Sequence, residues 1–208
     1  MEAETALSGD SRTPNVTRFV DPAVRGRSPD QMLADVTSTF LAVHPDGDGA
    51  VIADAYHVAS ELHGNQRRAT GDPYIVHPLA VAEILAGYGM DQATVIAAIL
   101  HDTVEDTEFS LQDARNRFGD EVALLIDGVT KLDRIKFSSR ELAQAATIRK
   151  MAVAMAKDIR VLVIKLADRT HNMRTLWVMP PDKRRRIARE TLDIYAPIAN
   201  RLGMNTIR

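Results

Sequence analysis

Apolar positions recur at helical spacing along most of the chain. Met32, Leu33, Val36 and Phe40 follow Ser28-Pro29-Asp30, an N-cap with proline at the first helical position, and predict a first helix. A turn at Pro45-Asp46-Gly47-Asp48-Gly49 leads to a second helix from about 50 to 62, which Gly64 can stop. Residues 64 to 77 (GNQRRATGDPYIVH) read as an ordered loop punctuated by Gly71 and Pro73. A third helix is expected to start with Pro78 in its first turn and to end near Gly87 to Gly89. Asp91 caps a fourth, which is almost wholly apolar from Val95 to Leu100. Ser110 caps a short helix closed at Gly119, and a further helix covers about 120 to 132. Beyond a polar loop at 133 to 140, helices are predicted at 141 to 156, 159 to 178 and 182 to 200, with Pro180-Pro181 separating the last two. No strand pattern and no internal repeat interrupt this series. The fold class it predicts is all-α, a compact helical bundle.

Residues 1 to 27 differ in kind. They mix Ser, Thr, Pro, Asp and Arg with few large apolar side chains, too little to offset the entropy of ordering, and predict a flexible arm ahead of one domain at 28 to 208. Composition supports the helical reading. Hydrophobic residues make up 45% of the 208, but aromatics only 5%, so Ala, Leu, Ile, Val and Met carry the core. The absence of cysteine removes disulfides and thiolate metal sites. A net charge of -2 gives no overall attraction to nucleic acid or membrane, and no apolar run approaches a membrane span. The acidic, polar start has no secretory pattern, so a cytoplasmic protein is the expectation, with a monomer as the default state.

Charged groups inside otherwise apolar helices carry the chemistry. His101-Asp102 follows Ala98-Ile99-Leu100 and precedes Thr103-Val104-Glu105-Asp106. If the helix continued, His101 would stand above Glu105 and Asp102 above Asp106. Ionisable groups emerging from a core segment need compensation, and a divalent cation provides it. The segment IRVLVIKLADRTHNMRTLWV repeats the theme, with Lys165, Asp168, Asn172 and Thr175 on one helical stripe. His77 adds another imidazole. His77, His101, Asp102 and Asp168 therefore form a candidate ligand set suited to Mn, Fe, Zn or Mg. A metal so held can acidify a bound water, and Glu105 and Asp106 lie one turn beyond to orient or deprotonate it.

The same residues match the H…HD…D signature of the HD superfamily. Longer blocks extend the match: RRATGDPYIVHP at 67 to 78, HDTVED at 101 to 106, DGVTKL at 127 to 132, KLADRTHNMRTL at 165 to 176 and ETLDIYAPIANRLGM at 190 to 204. Over about residues 50 to 205 the chain resembles the hydrolase domain of RelA/SpoT homologues, which remove the 3′-pyrophosphate from (p)ppGpp using Mn2+. The resemblance implies an HD-domain bundle around a central metal site, with Mn2+ as cofactor and guanosine tetra- or pentaphosphate as substrate. It assigns metal binding to His77, His101, Asp102 and Asp168, and water activation to Glu105 and Asp106. It places Arg68 against the guanine base, a contact a guanidinium can make through cation–π attraction. Thr70, Asn172 and Thr175 are implied to contact the nucleotide or its phosphates. The family often has lysine after the matching arginine; here Ala69 stands in its place, which bears on one phosphate contact or on alarmone preference. The family contains long chains with a synthetase domain and short stand-alone hydrolases; the flexible arm favours a short alarmone hydrolase, and a fragment of a longer bifunctional enzyme stays open beside it.

Blander readings stand beside these. The run Lys183-Arg184-Arg185-Arg186 has no accompanying aromatic platform and reads as a solvated helix face rather than a nucleic-acid site. His44, His57, His63 and His171 have no partner pattern and read as surface or packing residues, with His63 a candidate for the pocket rim. Two rival functions remain open: an HD phosphohydrolase for another nucleotide, such as NADPH or a nucleoside monophosphate, and a non-catalytic module that senses nucleotide.

Overall fold

The computed structural model describes residues 24, 26–133 and 157–204. Most of the expected arm, all but the first residue of the loop at 133 to 140, and the helix at 141 to 156 lie outside these residues. Helix α1 (Pro29–Val43) starts at a capping box in which Ser28 Oγ accepts from the Gln31 amide at 3.2 Å and the Gln31 side chain accepts from the Ser28 amide at 2.8 Å. It is followed by α2 (Gly49–His63), α3 (Val76–Gly87), α4 (Gln92–Leu100), the single turn α5 (Thr103–Asp106), α6 (Leu111–Phe118) and α7 (Asp120–Asp133). Helix α8 (Ile159–Arg174) ends in a 3-10 turn at Leu176–Val178. Helix α9 (Pro181–Glu190) then runs through a π turn at Thr191–Tyr195 into α10 (Ala196–Arg201). Among the described residues the only β feature is an isolated bridge between Arg67 and Pro73, so the chain is all-α.

Helices α3 and α4 form the centre because nearly all their residues are apolar. Seven consecutive residues of α4, Thr94 to Leu100, are buried, as are most of α3 from Val76 to Ala82. A helix without a polar face must be covered all round. Here α1 and α8 pack on α3, while α2 and α7 pack on α4. The opposite face of α8 places Leu162 and Leu166 against Ile194, Tyr195 and Ala199 of the C-terminal helices. Arg169 stacks over the Tyr195 ring at 4.1 Å and reinforces that seam. One glycine sets the approach of α7 to α8: a Cβ on Gly128 would lie 2.6 Å from Val161 Cγ2.

The structure alters three sequence expectations. The helical segment before His101-Asp102 does not continue: α4 stops at Leu100, two residues turn, and α5 begins at Thr103. The helix expected from Pro78 opens earlier, at Val76, which puts His77 in its first turn. The end of the expected arm is tied down where it is described. Arg27 donates to Asp35 at 2.6 Å and makes a two-pronged pair with Glu83 at 3.0 and 2.8 Å, and Val24 packs on the core.

Candidate metal centre

The three central elements deliver their polar groups to one junction. His77 leaves the first turn of α3, next to a proline whose missing N–H no first-turn residue needs. His101 closes α4, and its Nδ1 lies 2.7 Å from the carbonyl of Ala98. A carbonyl only accepts, so that nitrogen carries a proton, and in the neutral ring Nε2 is the one with the lone pair. Asp168 projects from the middle of α8, where the apolar faces on either side force its stripe inward.

At the junction, ligand atoms of His77, His101 and Asp168 lie within 4.8 Å of one another, and all three side chains are buried. His77 Nε2 is 3.2 Å from Asp168 Oδ1 and 3.8 Å from Asp102 Oδ2, while His101 Nε2 is 3.1 Å from Asp102 Oδ1. The four residues proposed from sequence as ligands thus face each other across a few ångströms. Ligands held about 2.0 to 2.2 Å from one ion stand about 3 to 4 Å apart, so the set is of the right size. His101 Nε2 is also fully buried and makes no hydrogen bond, an orphaned ring nitrogen in a cavity with two carboxylates. These residues fit a divalent cation.

Electrostatics favour the ionised carboxylates. Burial alone would raise Asp168, but Lys165, His77 and His101 outweigh it and hold the carboxyl well below the usual range. Asp102 is likewise lowered, its burial offset by His101 and His77. Burial pushes His77 down. His101 goes the other way, because Asp102 and Asp168 outweigh its burial. Two carboxylates against the one ammonium of Lys165 leave the pocket negative before the imidazoles are considered, which suits a cation.

Asp106 and Glu105 sit on α5 with exposed side chains. Asp106 is tied to the centre through Tyr74, whose hydroxyl lies 2.8 Å from Asp102 Oδ2 and 2.9 Å from Asp106 Oδ2. On the other side, a cavity of about 380 Å3 is lined by Arg68, Thr70, His171, Thr175, Trp177 and Val178, among others. Arg68 Nη2 donates to Asn172 Oδ1 at 2.7 Å, and Asn172 Nδ2 donates to Asp168 Oδ1 at 2.5 Å. Asn172 therefore links the cavity to the cluster. The Thr175 hydroxyl is turned to the backbone, 3.2 Å from the carbonyl of His171. Ala69 lines the same cavity, where the resemblance would have placed a lysine.

Sequence reasoning passed over three residues here. His171, read as surface or packing, is buried and touches His77, with 2.7 Å between the two Nδ1 atoms. Its spacing of three from Asp168 was the available signal. Tyr74 and Trp177 gave none, since one lies in a loop and the other in a 3-10 turn. By contrast, Lys183 to Arg186 are all exposed, as a solvated face requires.

A mixed imidazole and carboxylate cluster at the junction of buried helices defines the class, an all-α domain organised around a cation-sized pocket. A family model described as HD domain matches residues 55–205, and the chain belongs to that family. Its homologues are of the RelA/SpoT type. It is 64% identical over 157 residues to a GTP pyrophosphokinase of Streptomyces coelicolor, covering 76% of this chain and 18% of that one. It is 52% identical over 178 residues to the bifunctional (p)ppGpp synthase/hydrolase SpoT of Escherichia coli K12, covering 86% and 25%. A guanosine-3′,5′-bis(diphosphate) 3′-pyrophosphohydrolase of Vibrio cholerae is 55% identical over 176 residues, covering 85% and 24%. The chain spans a quarter or less of the length of these curated relatives. Among solved structures, one described as a metazoan ortholog of SpoT that hydrolyzes ppGpp superposes with a TM-score of 0.55 at 29% identity, covering 71% of this chain and 86% of the other. No helix among the described residues is long and apolar enough to cross a membrane.

Proposed function

We propose that this domain hydrolyses the 3′-pyrophosphate of (p)ppGpp, releasing pyrophosphate and GDP or GTP, with Mn2+ as its cofactor. The observation that carries the reading is the convergence of His77, His101, Asp102 and Asp168 beside a cavity walled by Arg68. The names of the relatives support alarmone chemistry, in both the synthetic and the hydrolytic direction. A cluster of imidazoles and carboxylates supports hydrolysis, because such a set holds a cation that lowers the pKa of a bound water and polarises a phosphoryl oxygen.

In this reading His77, His101, Asp102 and Asp168 hold the metal. Glu105 and Asp106 orient the attacking water and take its proton, and Tyr74 keeps Asp106 near the ligands. Arg68 meets the guanine base, while Thr70, Asn172 and Thr175 contact the nucleotide and its phosphates. The fixed donors and the cavity wall hold the diphosphate against the cluster, so positioning supplies much of the rate.

The test is a pyrophosphate-release assay on ppGpp with Mn2+ present, with chelator added and with Mn2+ restored. Release that vanishes with chelator and returns with Mn2+, and is lost in His101→Ala, is the expected result. Metal-replete protein that releases no pyrophosphate, or that instead transfers pyrophosphate to GTP, defeats the assignment. A parallel panel with NADPH and nucleoside monophosphates separates the reading from other phosphohydrolases.

A further inference from the structure

His171 occupies a position that none of the metal-binding or substrate roles above explains. Its Nδ1 faces two neighbours at once: His77 Nδ1 at 2.7 Å and Arg68 Nη1 at 3.5 Å. A guanidinium has no acceptor, so a proton on the nitrogen facing Arg68 would set two donors against each other, and a lone pair there suits the contact. If His171 Nδ1 accepts, the short contact to His77 can only be a hydrogen bond donated by His77 Nδ1. With a cation bound, a neutral His77 with its proton on Nδ1 presents the lone pair of Nε2, the atom that faces Asp168 Oδ1 at 3.2 Å and Asp102 Oδ2 at 3.8 Å across the space a cation would fill. Both rings are buried, and their centroids stand 4.8 Å apart, so no water need compete for the bond.

We infer that His171 is a positioning residue: by accepting a hydrogen bond from His77 Nδ1, it fixes the tautomer and ring orientation in which His77 offers Nε2 to a divalent cation. His101 obtains the same service from the backbone carbonyl of Ala98, so each imidazole of the cluster has its own dedicated acceptor. The difference matters. A backbone acceptor is fixed by the helix, whereas His171 also contacts Arg68 of the adjoining cavity. Arg68 in turn reaches Asp168 through Asn172, at 2.7 and 2.5 Å. The cavity arginine is thus joined to two ligands by two short chains of hydrogen bonds, and metal affinity is linked to the state of the base-binding wall.

This inference rests on the metal-site reading, and the experiment separates the two. Mn2+ alone is titrated calorimetrically into wild type, His171→Asn and His171→Leu, with thermal melting in chelator as the control for folding. Asparagine places an amide oxygen where Nδ1 stood; leucine places nothing. Wild type and His171→Asn should bind within a few-fold of each other. His171→Leu should bind about 10- to 100-fold more weakly, the usual consequence of losing a partner of a metal-ligating histidine. Wild type that binds no Mn2+ sinks the metal centre and the inference together. Equal affinities in wild type and His171→Leu sink the inference alone, as does an asparagine variant no better than leucine. A measurement on the unaltered protein covers the case of a variant that does not fold. Nitrogen-15 NMR of the imidazoles should find His171 protonated on Nε2 only, and a proton on its Nδ1 overturns the proposal.

Discussion

Lys165 Nζ lies 2.6 Å from Asp168 Oδ2, one turn apart on α8, with both side chains buried. The pair shows how the centre can keep an ionised carboxylate in the core before any cation arrives. Removing one member of a buried ion pair typically costs about 3–5 kcal/mol, whereas replacing both with apolar residues of similar size is often neutral. Asp168→Ala should therefore destabilise the metal-free protein by about that amount in denaturant titrations. The double variant Lys165→Met/Asp168→Leu should recover most of the loss while still failing to bind Mn2+. A double variant as unstable as the single one would show that the pair is not the source of the cost.

Tyr74 has one phenolic proton and two carboxylate oxygens within reach, on Asp102 and Asp106. Tyr74→Phe should leave the fold intact, because the ring still stacks on His63 at 4.3 Å. It should release Asp106 and lower kcat by about 10- to 100-fold, the range seen when partners of metal-site groups are removed. Steady-state kinetics with thermal melting checks this. An unchanged kcat would remove Tyr74 from the catalytic arrangement.

Asp91 offers a pH test away from the centre. Burial pushes its carboxyl up, but hydrogen bonds from Thr94 and Arg160 outweigh this and hold it below the ordinary value. A carboxylate lowered in the folded state adds stability above its unfolded pKa of about 3.9, and that stability is lost as pH falls through the folded value. Asp91→Ala, which also removes the cap of α4, should cost about 1 kcal/mol or more at pH 7. The gap to wild type should narrow as pH falls below that unfolded value and the folded carboxylate takes up its proton. A gap that stays constant across the acid range would rule out the charge contribution.

Trp177 is the single tryptophan and lines the cavity, and its Nε1 is buried without a hydrogen-bond partner. Binding of a guanine nucleotide there should shift or quench the intrinsic fluorescence. Arg68→Ala should move the response to about 10-fold higher ligand concentration or beyond, a change of about 1.4 kcal/mol. A titration with no optical change at saturating nucleotide would place the base elsewhere.

Much of this arrangement was readable in the residues, and the unreadable parts have physical causes. Helices α1 and α6 declared themselves through Ser28 and Ser110, and α4 through Asp91 and its unbroken apolar run. The four ligand candidates stood out because ionisable groups in apolar helices are costly without compensation. The stop at Leu100 was hidden, since no glycine or proline marks it and the sequence permits the helix to run on. His171 was obscure for another reason: its function depends on Arg68 and His77, about a hundred positions away in the chain. The role of Gly128 needed the approach of Val161 to be known.

The halves of the site rest on different kinds of scaffold. Helices α3, α4 and α8, whose burial fixes the core, also hold the imidazoles and Asp168, so the cation geometry cannot drift without loosening the whole molecule. The opposite wall comes from the loop carrying Arg68 and Thr70 and from the 3-10 turn carrying Trp177, where insertions and exchanges cost little. Under the proposed function, wall positions outside the Arg68 hydrogen-bond chains, Ala69 and Val178 among them, are where substrate preference can change while the ligand cluster stays undisturbed.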